Sequence, residues 1–239
     1  MREVQAWLDR GYTEVVDADL SGYFDSIPHH ELMKSVARRI SDRHLLHLIK
    51  MWLEAAVEET DEVGRNHRTT RNKDEGRGTP QGGVLSPLLA NLYMRRFVLG
   101  WRTGGHERRL DAHIVNYADD FVICCRPGMA EKAMSAMRQM MGKLRLTVNE
   151  KKTRLCRVPE DTFTFLGFTF GRQVSWKNKG EAYMAPAPAK KKVQAICDKI
   201  SETASRRTLW RDPEELVGHL NQILRGRANY FRVGYVTGA

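Results

Sequence analysis

The segment Tyr117-Ala118-Asp119-Asp120 interrupts two short apolar runs, residues 112–116 and 121–125, and it limits the folds open to this chain more than any other stretch. Both flanks are rich in β-branched, aromatic or Cys residues, and both are too short for a helix. The pattern therefore predicts a β-hairpin whose tip carries two adjacent acids. Neighbouring carboxylates repel, and a fold accommodates them at low cost only where solvent, a basic partner or a cation compensates the charge. A solvated Asp-Asp turn is the plainer reading of the dipeptide by itself. A hard divalent cation such as Mg2+, which takes oxygen ligands, is the alternative that would make the tip a site.

A second acidic stretch changes that balance. In Glu14-Val15-Val16-Asp17-Ala18-Asp19-Leu20 the alternation predicts a strand over 13–19, with Val15, Asp17 and Asp19 on one face and Val16 and Ala18 on the other. Asp19 then falls at or just beyond the strand's C-terminal end. If the strand pairs beside the hairpin, Asp19, Asp119 and Asp120 converge. Three carboxylates can hold two Mg2+ ions, a set suited to activating a hydroxyl and stabilising departing phosphate oxygens. If the two strands lie apart, a basic α/β protein with an unrelated phosphotransfer role remains open.

At 239 residues the chain can bury a full core, and its formal charge of +10 favours a polyanionic partner. The four cysteines, Cys124, Cys125, Cys156 and Cys197, lack metal-site spacing and read as reduced thiols. No run approaches 18 apolar residues and the N-terminus lacks a signal-peptide pattern, so we expect a cytoplasmic, nucleic-acid-associated protein with no membrane partner.

The stretch Asp17-Ala18-Asp19-Leu20-Ser21-Gly22-Tyr23-Phe24-Asp25-Ser26-Ile27, then Gly78-Thr79-Pro80-Gln81-Gly82-Gly83-Val84-Leu85-Ser86-Pro87, then Tyr117-Ala118-Asp119-Asp120 resemble three successive motifs of the reverse transcriptases encoded by bacterial group II introns. The resemblance runs from about residue 12 to the end. It implies an α/β fold of the α+β kind, with an antiparallel palm sheet backed by helices over 1–185 and a helical thumb or maturase-like segment over 186–239. It further implies Asp19, Asp119 and Asp120 as catalytic metal ligands, with two Mg2+ ions or Mn2+ in their place. Phe24 resembles the steric gate beneath the incoming sugar, Gln81 a residue near the templating pair, and Lys152 a lysine near the nucleotide. The Phe163–Phe170 segment resembles the primer grip. The partners implied are an RNA template or intron RNA, a DNA primer and dNTPs.

Along the chain, a short helix is expected over 1–11, ending at Gly11, and Asp25 reads as a turn or helix-start residue rather than a ligand. Helices are expected over 28–40 and 42–58, the second capped by Ser41, followed by an irregular hairpin or loop to residue 78. The histidines at 29, 30, 44 and 47 read as helix residues rather than ligands. Ser86 as N-cap and Pro87 at the first helical position start a helix to about Gly100. Another helix over 129–143, a strand over 144–148 and a tight hairpin centred on Gly167 follow. Beyond Pro186 and Pro188, helices are expected from Lys190 and from Pro213, capped by Asp212; residues 190–239 carry ten Lys or Arg against five Asp or Glu. This basic tail should bind RNA through its backbone phosphates.

The family's fingers region precedes the first acidic motif, whereas Asp19 arrives after eighteen residues. The expectation is thus a palm with part of a thumb: a fragment, a truncated intron copy, or one piece working with a separate fingers-containing polypeptide. The activity implied is RNA-directed DNA synthesis by two-metal nucleotidyl transfer, with a part in intron splicing or mobility. The alternative is a non-catalytic intron-RNA binder whose polymerase residues are relics.

Overall fold

The computed structural model describes residues 1–60, 64–80, 82–174, 182–205, 210 and 212–232. In chain order the elements are α1 (Arg2–Asp9), β1 (Glu14–Ala18), α2 (Tyr23–Ser26), α3 (His29–Ala37), α4 (Arg43–Leu53), β2 (Val57–Thr60), β3 (Asn66–Thr69), α5 (Arg71–Glu75), α6 (Ser86–Thr103) and α7 (His106–Leu110). There follow β4 (Ala112–Tyr117), β5 (Asp120–Cys125), α8 (Ala130–Lys143), β6 (Arg154–Arg157), β7 (Phe163–Phe165), β8 (Phe168–Phe170), β9 (Arg172–Val174), β10 (Ala182–Met184), β11 (Ala187–Pro188), α9 (Lys190–Thr203) and α10 (Pro213–Tyr230). Two compact units result: Glu14–Leu155, and Met1–Thr13 with Cys156–Ala239.

The Glu14–Leu155 unit is built on a sheet of order β4-β5-β1-β6, with β5 antiparallel to both of its neighbours. Alternation decides which residues go inward. Val16, Ala18, Ile114, Phe121 and Ile123 enter one core with Leu32 and Val36 of α3, Tyr93, Phe97 and Trp101 of α6, and Met137 and Met141 of α8. Met134 of α8 joins this core partly buried. Two buried polar contacts fix helices to strands. The Trp101 indole N–H donates to the Ala112 carbonyl at 2.9 Å. The buried Glu14 carboxylate accepts from the backbone N–H groups of Gly128 at 2.9 Å and Ala130 at 3.2 Å, so a residue of β1 satisfies donors at the start of α8.

Several local expectations are corrected. The N-cap of α4 is Asp42, whose carboxylate accepts from His44 and Leu45, because Asp42 stands one residue closer to the first turn than Ser41. That helix stops at Leu53, and Val57–Thr60 turns into a hairpin with β3. At α6 the N-cap position is Leu85, since the Ser86 hydroxyl donates to the Pro80 carbonyl and is unavailable to the helix. The helix runs on to Thr103. Along it Leu88 is exposed, while Leu89 and Tyr93 are buried. Residues 144–148 form no strand: Leu144 ends α8, Arg145 takes φ +56°, and only Val148 makes a bridge, to Leu20.

In the other unit, Val4 and Leu8 of α1 are buried and Trp7 meets Tyr12 edge-on at 5.0 Å. The Phe163–Phe170 hairpin turns at Leu166 and Gly167, with φ of +50° and +76°, the geometry that a two-residue turn between twisted strands requires. Phe163 and Phe170 stack at 5.0 Å. The Tyr230 hydroxyl donates to the Leu166 carbonyl at 2.8 Å, and the Ala189 N–H donates to the Gly167 carbonyl at 2.9 Å. The turn is thereby held by the start of α9 and the end of α10. Asp212 caps α10 with Pro213 in its first turn, as the sequence indicates.

Candidate active site

The strand pairing brings Asp19 and Asp120 to the same end of the sheet. In the β1–β5 register Asp17 faces Val122 and Ala18 faces Phe121. Asp19 follows at the exit of β1 and Asp120 opens β5, so both stand at the same end of the pair. In the β4–β5 register Tyr117 faces Asp120, leaving Ala118 and Asp119 as the hairpin tip. Cross-strand partners share a face, so Asp17, Asp19 and Asp120 project on the side away from Ala18 and Phe121. Ala118 adopts φ +55°, the positive value that hairpin tips of this length use, and the Asn116 side chain donates to the Ala118 carbonyl at 2.8 Å and the Asp120 carbonyl at 3.4 Å.

The electrostatics report the same convergence. Partial burial, followed by the charges of Asp119, Asp19 and Asp17, pushes the Asp120 carboxyl above the ordinary carboxylate range. Asp17 is pushed up by burial while Arg154, 3.2 Å from its carboxylate, pulls the other way. Tyr23, whose hydroxyl donates to the Ala90 carbonyl at 2.6 Å, is driven up chiefly by burial, with Tyr93 and Asp119 adding to it.

Asp19 is held more firmly than its position at a strand end implies. Its N–H donates to the Thr153 hydroxyl at 3.3 Å and its carbonyl accepts from the Asn149 N–H at 2.8 Å. The Asn149 side chain donates to the carboxylate at 3.1 Å, and the Lys152 ammonium stands 3.3 Å from the same oxygen. The Ser21 N–H donates to the Thr147 carbonyl at 2.9 Å, so residues 147–153 run along the exit of β1. Lys152, read from the resemblance as a lysine near the nucleotide, stands beside the Asp19 carboxylate. Asn149, Thr153 and Arg154 were missed, and the only sequence signal for them was polar clustering beside Lys152.

Phe24 is half buried, packs against the core and meets Tyr23 edge-on at 5.8 Å. Its carbonyl accepts from the Thr79 N–H at 2.8 Å, and the Ile27 carbonyl accepts from the Gly78 N–H at 2.9 Å, which ties the glycine-rich loop to the segment after Asp19. The buried His29 ring bonds the Gly78 carbonyl at 2.6 Å. A Cβ at Gly83 would stand 2.5 Å from the Trp52 ring, so close approach, not turn geometry, demands glycine there. Gln81 lies outside the described residues. Among the described residues no three acid, His or Cys side chains already stand as a metal-ligand group. The donor set nonetheless suits a hard cation: hard carboxylate oxygens whose like charges press on Asp120, with an ammonium drawn to Asp19. The described cysteines are free thiols, three buried and Cys197 exposed, and no described helix is long and apolar enough to cross a membrane.

Comparison with known proteins extends these observations. Residues 2–170 match the family described as "Reverse transcriptase (RNA-dependent DNA polymerase)", and residues 193–239 match "Group II intron, maturase-specific domain". Protein YkfC of Escherichia coli K12 is 32% identical over 193 residues, which cover 67% of this chain and 48% of YkfC. Group II intron-encoded protein LtrA of Lactococcus lactis subsp. cremoris is 39% identical over 87 residues, 35% of this chain and 13% of LtrA. The telomerase of Candida tropicalis in complex with a TWJ fragment of telomeric RNA superposes with a TM-score of 0.55 at 12% identity, over 97% of this chain and 41% of that one. That last likeness concerns the fold alone. The matched stretches span about half or less of these proteins' own lengths.

Proposed function

Because the chain belongs to the reverse transcriptase family, in its group II intron-encoded branch, we propose that it forms the active centre of an RNA-directed DNA polymerase, adding dNTPs to a DNA primer on an RNA template. The observation that supports this reading is the β1–β5 register, whose last pair, Ala18 with Phe121, leaves Asp19 and Asp120 at the same end of the sheet, beside the hairpin tip that carries Asp119. In this reading residues 1–185 act as the palm and 186–239 as a thumb-like segment, a division supported by the separate family matches over 2–170 and 193–239.

Asp19, Asp119 and Asp120 would hold Mg2+, as two ions, or Mn2+ in its place. When bound, the metal supplies positive charge for the attacking primer 3′-hydroxyl and the departing pyrophosphate. The chain's own residues supply position. Asn149 and Thr153 fix the Asp19 backbone and carboxylate before any substrate arrives, so the geometry is set in advance. Lys152 neutralises Asp19 in the free protein and, released from it, would reach a nucleotide phosphate. The partly exposed Phe24 ring would border the sugar and exclude a 2′-hydroxyl, and Gln81 would meet the templating pair. The basic α9, beginning beside the Gly167 turn, would follow the duplex backbone in the manner of phosphate contacts.

The test is primer extension on an RNA template with Mg2+ and dNTPs, run with the chain alone and with an added fingers-bearing polypeptide, the separate partner proposed here. Asp119→Asn should reduce extension at least about a hundredfold in whichever mixture extends, while leaving RNA binding unchanged. Extension that survives Asp119→Asn would refute the assignment. Phe24→Ala should admit ribonucleotides more than it harms dNTP use; equal loss for both sugars marks packing instead. A non-catalytic intron-RNA binder is the second reading, favoured by the maturase-specific match over 193–239. RNA binding without extension in either mixture would select it.

A further inference from the structure

Within the Glu14–Leu155 unit, a groove between α3, α4 and the first half of α6 takes no part in the chemistry above. Its floor is an apolar cavity of about 390 Å3 bordered by Val36, Ile40, Ile49, Leu85, Leu88 and Leu89. It continues, through the shared residues Arg39, Leu92 and Arg95, into a second hollow of about 470 Å3 that Arg38 and Arg96 also line. Leu88 is 64% exposed and Leu85 39%, and Leu45, one helical turn before Ile49, is 43% exposed. Arg96 is paired with Glu31 at 2.9 Å and Arg39 donates to the Ser35 carbonyl at 3.0 Å. Arg38 and Arg95 make no side-chain hydrogen bond or ion pair among the described residues.

We propose that this groove docks an acidic amphipathic α-helix from a partner protein. A helix carries an apolar ridge at i, i+3 or i+4 and i+7, which fills a trough lined by leucine and isoleucine, and its flanking acids would reach Arg38, Arg39 and Arg95. Charge complementarity sets the sign of the partner, and the exposed leucines set its class. An RNA backbone could meet the arginines but would leave Leu85 and Leu88 against water or phosphate, whereas a helix covers both halves at once. The inference is independent of the polymerase reading, since it uses none of the carboxylates.

The probe is a fluorescein-labelled synthetic helix with leucines at i, i+3 and i+7 flanked by glutamates, titrated with the full chain and followed by anisotropy. Two control helices replace its glutamates by lysines or its leucines by serines. The acidic, leucine-bearing helix should bind saturably, with each control at least about tenfold weaker. The double variant Arg39→Glu, Arg95→Glu should lose the acidic helix and gain the lysine one, a swap that misfolding cannot produce. Leu88→Asp should weaken the acidic helix about tenfold with an unchanged circular dichroism spectrum. Absence of saturable binding, or affinity indifferent to the arginine variant, overturns the proposal. So does an RNA oligonucleotide that displaces the helix and responds to the arginine variant but not to Leu88→Asp, which would give the groove to RNA.

Discussion

If the acids converge as the register requires, the fold bears a cost that a single substitution should remove. Asp120 has a like charge beside it at Asp119 and another acting on it from Asp19 at the exit of β1. Each like-charge neighbour on a solvent-facing sheet pair costs about 0.2–1 kcal/mol. Asp120→Asn keeps the side chain's size, leaves the Asn116 contacts with the tip carbonyls in place, and removes both repulsions. The metal-free protein should therefore gain roughly 0.5–1.5 kcal/mol, a rise of about 1–5 °C in Tm for a chain of this length. The assay is thermal unfolding in EDTA at low ionic strength, repeated with added KCl, which should shrink the gain by screening. Excess Mg2+ should then raise the parent more than the variant, because a cation that binds only the folded carboxylates stabilises by mass action. A lower Tm for Asp120→Asn in EDTA would mean that this carboxylate makes an attractive contact, and the convergent-acid reasoning would fail.

Two further outcomes follow from buried and surface charge. Glu14→Leu should cost about 2–4 kcal/mol and Glu14→Gln clearly less, because the leucine variant strips the two backbone donors at the start of α8 of their acceptor; urea unfolding followed by tryptophan fluorescence measures this, and a loss under about 1 kcal/mol would show the contact to be incidental. Lys34 and Arg96, each 2.9 Å away, hold the Glu31 carboxyl down at about 2. Its contribution is present above the ordinary carboxylate value and is lost as pH falls toward 2, so Glu31→Gln should be less stable than the parent at neutral pH by only about 0.3–1 kcal/mol. That difference should close between about pH 4.5 and about 2; a gap constant across this window counts against the ion pairs.

What the sequence made legible was whatever a short-range pattern encodes. The hairpin, β1, α8 and the Gly167 turn were readable because period-two and helical spacing are local, and turn residues stand at fixed offsets from them. Asp42 displaced Ser41 as a cap, and Ser86 turned to Pro80, because competing hydrogen bonds to nearby backbone groups lie within reach of several polar residues at once. Residues 144–148 alternate like a strand, yet α8 ends only at Leu144 and the chain needs its left-handed Arg145 to turn, so pairing shrinks to Val148. The adjacency of β1 and β5 was conditional in the sequence, since more than a hundred residues separate the partners and no spacing rule reaches that far. The hold on Asp19 by Asn149 and Thr153 was invisible for the same reason: its members meet only after the sheet has formed.

The pairing of Ala18 with Phe121 also limits how this chain can vary in length. One residue inserted into β1 or β5 would send every later side chain of that strand to the opposite face, turning core residues outward and the acid inward. Two inserted residues would restore the faces but carry the carboxylate about 7 Å past its partner. Both strands are therefore closed to insertions and deletions of one or two residues. In a library of random in-frame insertions selected for the folded chain, survivors should be missing from the two strands.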